Sequence, residues 1–166
     1  MKKITLALVI LFATHSYAEA PGNSYIGAQF GQSTLEVETL DDIETTYGLV
    51  RLGIYVTESL AAESRYGYGL EDDTLSGVDY SIDRIAGLYA VYHFKLSSKT
   101  SIYGLVGYTE IDIKAESNGG SFVEEEDDIS YGIGLDFYNI NIELTQYKDH
   151  SNFDASALSI GYTYHF

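Results

Sequence analysis

Along most of the chain, apolar and non-apolar residues alternate one for one, the period of a strand with two unlike faces. The C-terminus shows it most plainly: Leu158, Ile160, Tyr162, Tyr164 and Phe166 alternate with Ala157, Ser159, Gly161, Thr163 and His165. The stretch 129–137 places Ile129, Tyr131, Ile133, Leu135 and Phe137 against Ser130, Gly132, Gly134 and Asp136. Residues 140–147 set Ile140, Ile142 and Leu144 against Asn141, Glu143, Thr145 and Tyr147. The same alternation runs through 60–70, 47–56 and 25–31. Two more strands are predicted at about 80–94 and 101–113, where both faces are apolar and the facing stays open: Ile85, Gly87, Tyr89 and Val91 compete with Ala86, Leu88, Ala90 and Tyr92. That makes eight strands. The only proline, Pro21, precedes them all, so no hydrogen-bond ladder is interrupted.

The connections alternate in length. Those near 57–59, 95–100 and 138–139 are short. Those near 36–45, 71–78, 115–128 and 149–154 are longer and rich in Gly, Ser, Asn, Asp and Glu. A soluble sandwich also alternates in period two, but its outer face carries charge. Here the non-apolar faces are rich in Gly, Ser and Thr and poor in charge, which suits the narrow interior of a small closed barrel whose apolar face meets lipid. Tyrosines 47, 55, 103, 108, 131, 138 and 147 fall toward strand ends, where an interfacial aromatic girdle is expected.

The N-terminus reads as an address. Lys2 and Lys3 precede an apolar run from Ile4 to Ala13, followed by small residues at Ser16 and Ala18. The run is about half the ~20 residues a spanning helix needs, so residues 1–18 are expected to be a signal peptide cleaved after Ala18, leaving one domain over 19–166. The full chain has 166 residues and a formal charge of −16, which argues against a nucleic-acid partner. With no cysteine, disulfides, thiolate metal sites and a cysteine nucleophile are excluded. No cofactor motif is present.

Three groups of residues could carry function. Arg51, Glu63, Arg65 and Glu143 all lie on the inward-type faces at similar distances from short connections. Charges so placed are expected to pair, because burying one alone costs several kcal/mol. Arg51 should lie opposite Glu63 or Arg65 and diagonal to the other, with Glu143 reaching across the interior and coupled more weakly. Structural pairing is the favoured reading; a salt-bridge gate is the alternative. Second, the four longer connections hold sixteen of the 25 acidic residues and no Lys or Arg. This fits a solvated, self-repelling surface or diffuse divalent-cation binding, but no calcium-loop spacing is present. Third, His150 and Ser151 are adjacent, so in an extended strand they point to opposite faces and make a poor hydrolytic pair.

The ending Gly161-Tyr162-Thr163-Tyr164-His165-Phe166, with the phrases Ile102-Tyr103-Gly104-Leu105-Val106-Gly107-Tyr108 and Glu143-Leu144-Thr145-Gln146-Tyr147, resembles the OmpA/OmpX-like eight-stranded outer-membrane β-barrels, the porin-family or outer-membrane β-barrel-domain proteins. The resemblance covers the whole chain after the leader. It implies an all-β, antiparallel, up-and-down transmembrane barrel in the bacterial outer membrane. It also implies contact with outer-membrane lipid and lipopolysaccharide, and handling by periplasmic chaperones and the barrel-assembly machinery. Tyr162, Tyr164 and Phe166 match the assembly signal of that family. A monomer is expected. The resemblance covers members of several functions, enzymes among them; the favoured reading here is non-enzymatic, in envelope structure or in presenting acidic loops to a surface partner. The alternatives are a low-conductance pore for small solutes and, less favoured, a lipid A-modifying hydrolase.

Overall fold

The computed structural model describes residues 21–37, 43–71, 73–75, 78–117, 120–150 and 153–166. The proposed leader and Ser151 and Asn152 lie outside them. Strands β1 (Ser24–Val37), β2 (Ile43–Tyr55), β3 (Leu60–Glu71), β5 (Val78–Ser97), β6 (Thr100–Ser117), β7 (Gly120–Phe137), β8 (Ile140–His150) and β9 (Phe153–His165) are joined by a three-residue piece, β4 (Asp73–Leu75), that continues the rim of β3 along β5. Each strand pairs antiparallel with its sequence neighbour. β1 pairs with β9 and β3 with β5, so the sheet closes on itself as an eight-stranded barrel and no strand is left at an edge around its waist.

The alternation in the sequence is the alternation between lumen and outer wall. Where the side chains are described, the odd residues of β1–β3, β5 from Ile85 onward, β6, β8 and β9 point inward through the belt, and on β7 the even ones do. In the two ambiguous strands the odd residues take the lumen. Ile85, Tyr89 and Val91 face in, while Leu88, Tyr92 and Phe94 face out; on β6, Tyr103 and Leu105 face in and Val106 and Tyr108 face out. A bulge between Ile82 and Arg84 shifts the phase above that point, which lets Ile82 and Ile85 both enter the lumen.

The outer wall carries an unbroken apolar belt. It includes Val50, Leu52 and Ile54 on β2, Ile133 and Leu135 on β7, Ile142 and Leu144 on β8, and Leu158 and Ile160 on β9. Its upper margin is marked by outward polar groups. Arg84 pairs with Glu110 and Asp112 there, with Arg84 Nε 2.9 Å from Asp112 Oδ2, and Gln32 Nε2 donates to Glu44 Oε2 at 2.7 Å.

Two expectations need correction. Tyr47, Tyr55, Tyr103 and Tyr147 are not girdle residues. They are buried in the lumen, because a narrow barrel needs bulky inward rings wherever neighbouring strands supply glycine. Tyr108, Tyr131 and Tyr138 do stand on the outer wall, joined there by Phe30, Tyr66, Tyr68, Tyr92, Phe94, Phe137, Tyr162 and Tyr164. Among the described residues the longer connections are also largely strand. β6 and β7 stay paired through Ser117↔Gly120, so nearly all of 115–128 is ladder. The alternating rule fails to reveal it because these residues stand above the belt and carry charge on both faces.

The opposite end is tight. At the two-residue turn between β7 and β8, Tyr138 takes a left-handed φ of 56°, a conformation costing roughly 1 kcal/mol for a residue with a Cβ. Its N–H donates to Lys99 O at 2.7 Å, and Lys99 Nζ donates to its hydroxyl at 2.8 Å.

Candidate functional site: a charged ring inside the barrel

The structure brings Arg51, Glu63, Arg65 and Glu143 together at mid-barrel, each at most 3 % exposed. Strand pairing sets Arg51 directly opposite Arg65, and Glu63 opposite Gly53. Like charges facing each other across a ladder repel, and the two carboxylates offset this by bridging both guanidinium groups. Glu63 Oε1 accepts from Arg65 Nε at 2.6 Å, and Glu63 Oε2 lies 3.8 Å from Arg51. Glu143 Oε1 and Oε2 accept from the two terminal nitrogens of Arg65 at 2.5 and 2.9 Å, and Oε2 lies 3.9 Å from Arg51. The result is a closed ring of alternating sign, two positive and two negative.

Glu143 therefore does not hold a weaker, reaching contact. Its fork-to-fork pairing with Arg65 is the tightest in the ring, since the barrel is narrow enough for β8 to face β3 at side-chain range. Bidentate pairing of this kind is stronger and more directional than a single contact.

Several partners complete the ring. Tyr25 donates its hydroxyl to Glu63 Oε2 at 2.5 Å, Tyr103 donates to Glu143 Oε2 at 2.8 Å, and Thr145 donates to Glu143 Oε1 at 2.7 Å. Arg51 donates to Thr163 Oγ1 at 2.5 Å. Arg65 also stacks over the Tyr89 ring, 4.6 Å from its centroid. Sequence reasoning missed these residues. The signal was there in part: Tyr25 pairs with Gly53 and Tyr103 with Gly134. A Cβ at either glycine would collide with the tyrosine ring, so the absent side chain is what admits the phenol to the lumen.

Apolar packing flanks the ring on both sides. Toward the long-hairpin end, Tyr47, Leu49, Ile82, Ile85, Ile111 and Tyr147 form one cluster. Around the ring and toward the short-turn end, Tyr25, Tyr55, Tyr89, Val91, Tyr103 and Leu105 form another. Below, His93 Nδ1 lies 3.4 Å from Asp136 Oδ2, and Asp136 Oδ1 lies 4.0 Å from Arg51. The interior is thus filled with side chains, with charges held between aromatic layers.

The remaining candidates are dispersed. Tyr162 and Tyr164 stand exposed on the outer face of β9, and Tyr164 meets Phe166 edge-on at 5.1 Å. The Phe166 N–H donates to Ser24 O at 2.8 Å, fastening the chain end to the start of β1. Among the described residues no group of three or more His, Asp or Glu side chains is placed to hold a metal ion. Of the His150-Ser151 pair, the backbone of His150 pairs with Phe153, and Ser151 lies outside the described residues.

Solved structures share the architecture. Ail, the attachment invasion locus protein of Yersinia pestis, aligns with a TM-score of 0.65 at 19 % identity, over 87 % of this chain and 99 % of that one. Ail has also been solved in complex with the heparin analogue sucrose octasulfate. Neisserial surface protein A aligns with a TM-score of 0.70 at 14 % identity, over 86 % and 97 %. The N-terminal β-barrel domain of Pseudomonas aeruginosa OprF aligns with a TM-score of 0.56 at 14 % identity, over 83 % and 97 %. No curated protein matches the sequence significantly. The family model for the outer membrane protein beta-barrel domain matches residues 4–166. With a closed eight-stranded barrel, an apolar outer belt and a match across almost its whole length, the chain belongs to the outer membrane protein beta-barrel domain family and is a bacterial outer-membrane protein.

Proposed function

We propose that this barrel is a non-enzymatic, monomeric outer-membrane anchor that holds an acidic β-arm above the membrane for contact with a cationic partner surface. The observation that carries the reading is the β6–β7 ladder. It continues nine pairs beyond Tyr108↔Ile129, the last outward apolar pair, to Ser117↔Gly120. At about 3.3 Å per residue this is roughly 30 Å of ladder along the strand direction. Its β7 side carries Glu124, Glu125, Glu126, Asp127 and Asp128 in succession. A short barrel that only stabilised the envelope would have no need of such an arm.

The charge of the arm argues for a partner unlike that of Ail, which binds a sulfated heparin analogue. An arm dominated by carboxylates repels sulfate and attracts basic protein surfaces, with a strength that falls as salt rises. The lumen ring serves this function as a structural plug that makes the anchor rigid, not as a gate. Tyr162, Tyr164 and Phe166 act as the assembly signal after removal of residues 1–18. Deleting Phe166 should leave precursor unassembled in the periplasm; normal outer-membrane levels of the truncated chain would refute that role.

The test of the arm exploits its charge. Converting Glu124, Glu125, Glu126, Asp127 and Asp128 to Gln or Asn removes those acids and leaves the lumen residues, Ile113 at the rim of the core among them, in place. Cells displaying the wild-type barrel should adhere to an immobilised basic protein and not to immobilised heparin. The neutralised barrel, still heat-modifiable on gels, should lose that adhesion. Adhesion to heparin, or full adhesion by the neutralised barrel, would overturn the reading.

A further inference from the structure

The β7–β8 ladder is the shortest in the wall. Its pairing ends at Tyr131↔Gln146, although both strands continue upward, β7 paired with β6 and β8 with β9. The cause lies in β8. Its register against β9 shifts between Gln146 and Lys148, an irregularity at Tyr147, whose ring turns into the lumen and whose carbonyl accepts from the Ser130 hydroxyl of β7 at 3.0 Å. Immediately below the parting, a groove of about 660 Å³ crosses the outer wall from β7 over β8 and β9 to β1 and β2. A convex barrel wall has no reason to be concave except where its strands part, and this volume is within the usual range of a small-ligand site.

The groove is amphipathic along the membrane normal. Its lower rung is Ile133, Leu144 and Leu158, which are continuous with the apolar belt, with Gln32 paired to Leu158 at its end. Its upper rung is Tyr131, Gln146, Ser156, Thr34 and Glu44, at the margin where the belt turns polar. The described lining residues include no Lys or Arg, and the one charged group is a carboxylate. Two amides and two hydroxyls, each able to donate and accept, match a head rich in hydroxyl or amide groups. Among the described lining residues a bare phosphate would meet the carboxylate of Glu44 and no cation, on a chain whose formal charge is −16.

We propose that this groove is a binding site for one outer-leaflet lipid with a sugar-type, hydroxyl-rich head, its acyl chain lying along Ile133, Leu144 and Leu158 and its head hydrogen-bonded to Glu44, Gln146 and Ser156. The site is independent of the acidic arm and of the lumen ring. It ties the seam between β7 and β8 to the leaflet, filling the concavity left where the ladder stops.

Native mass spectrometry of the intact barrel released from detergent tests it, with monoglucosyl-diacylglycerol and phosphatidylglycerol of identical acyl chains as the probes. The expected result is retention of a single glycolipid at about fivefold or more over phosphatidylglycerol, a preference equivalent to about 1 kcal/mol. Ser156→Trp should fill the groove and abolish retention, while Ala90→Trp, outward on the opposite wall, should leave it intact. Glu44→Lys, at an exposed position that does not threaten folding, should reverse the preference toward phosphatidylglycerol. Equal retention of both lipids, several copies without selectivity, or a preference unmoved by Ser156→Trp and Glu44→Lys would each overturn the proposal.

Discussion

The lumen and the acidic arm use the same residue types to opposite ends. At mid-barrel two glutamates and two arginines are matched in number and sealed from water, and every carboxylate oxygen has a hydroxyl or guanidinium donor. On the arm, five consecutive acids stand with no base beside them in sequence, over a strand that pairs on one side only above Tyr131. The difference is water. Inside, an unmatched charge costs several kcal/mol, so composition is forced into balance. Outside, solvation tolerates a surplus of one sign, and that surplus keeps an unpaired strand edge from pairing with a neighbour's.

The largest expected effect lies in the ring. Arg65→Met alone leaves Glu63 and Glu143 buried without their main partner and should cost ~3–5 kcal/mol of barrel stability. Combined with Glu143→Gln, the loss should be far smaller than the sum of the two single changes, as followed by urea unfolding in liposomes. Because Glu143 holds Arg65 bidentately, this pair should couple more strongly than Arg51→Met with Glu63→Gln. The reverse order would mean that the fork-to-fork contact is not the ring's centre.

An intermediate effect belongs to the belt. Ile133 is 56 % exposed on the outer wall, and Ile133→Arg should cost ~2–4 kcal/mol near mid-bilayer through lipid transfer. Gly134→Arg next to it should act through collision with the Tyr103 ring instead. Bilayer thickness separates the two mechanisms: thinner lipids should relieve the first and not the second. If Ile133→Arg folds as stably as the wild type, the facing of β7 is wrong.

The smallest effect on stability is expected on the arm. Converting 124–128 to Gln and Asn should shift unfolding by no more than about 0.5 kcal/mol. It should still abolish salt-sensitive adhesion to the basic surface. A large loss of stability would show that these acids are held by contacts as strong as those of the ring.

The fold was legible in the sequence wherever one face met lipid and the other the lumen, because the two environments differ sharply and the period of two records the difference. It was not legible on β5 and β6, where Ile85, Tyr89, Val91, Tyr103 and Leu105 fill the lumen with residues as apolar as those of the belt. The grouping of Arg51, Glu63, Arg65 and Glu143 followed from parity and depth. Which arginine opposes which residue did not, because register across β2 and β3 depends on turn geometry that the residues around 57–59 leave open. The shell of Tyr25, Tyr103, Thr145 and Thr163 was hidden because tyrosine and threonine on a non-apolar face look the same whether they meet water or a buried carboxylate. The acids of 115–128 concealed a ladder, since strands above the membrane have no lipid face to reveal them.

Single-channel recording in planar bilayers tests the central claim, that the ring is a structural plug, most directly. The wild-type barrel should be electrically silent, and Glu143→Gln, reconstituted folded as shown by heat-modifiability, should be equally silent while unfolding more easily. Discrete conductance steps from the folded wild type, or from folded Glu143→Gln, would contradict the account and make the ring a gate.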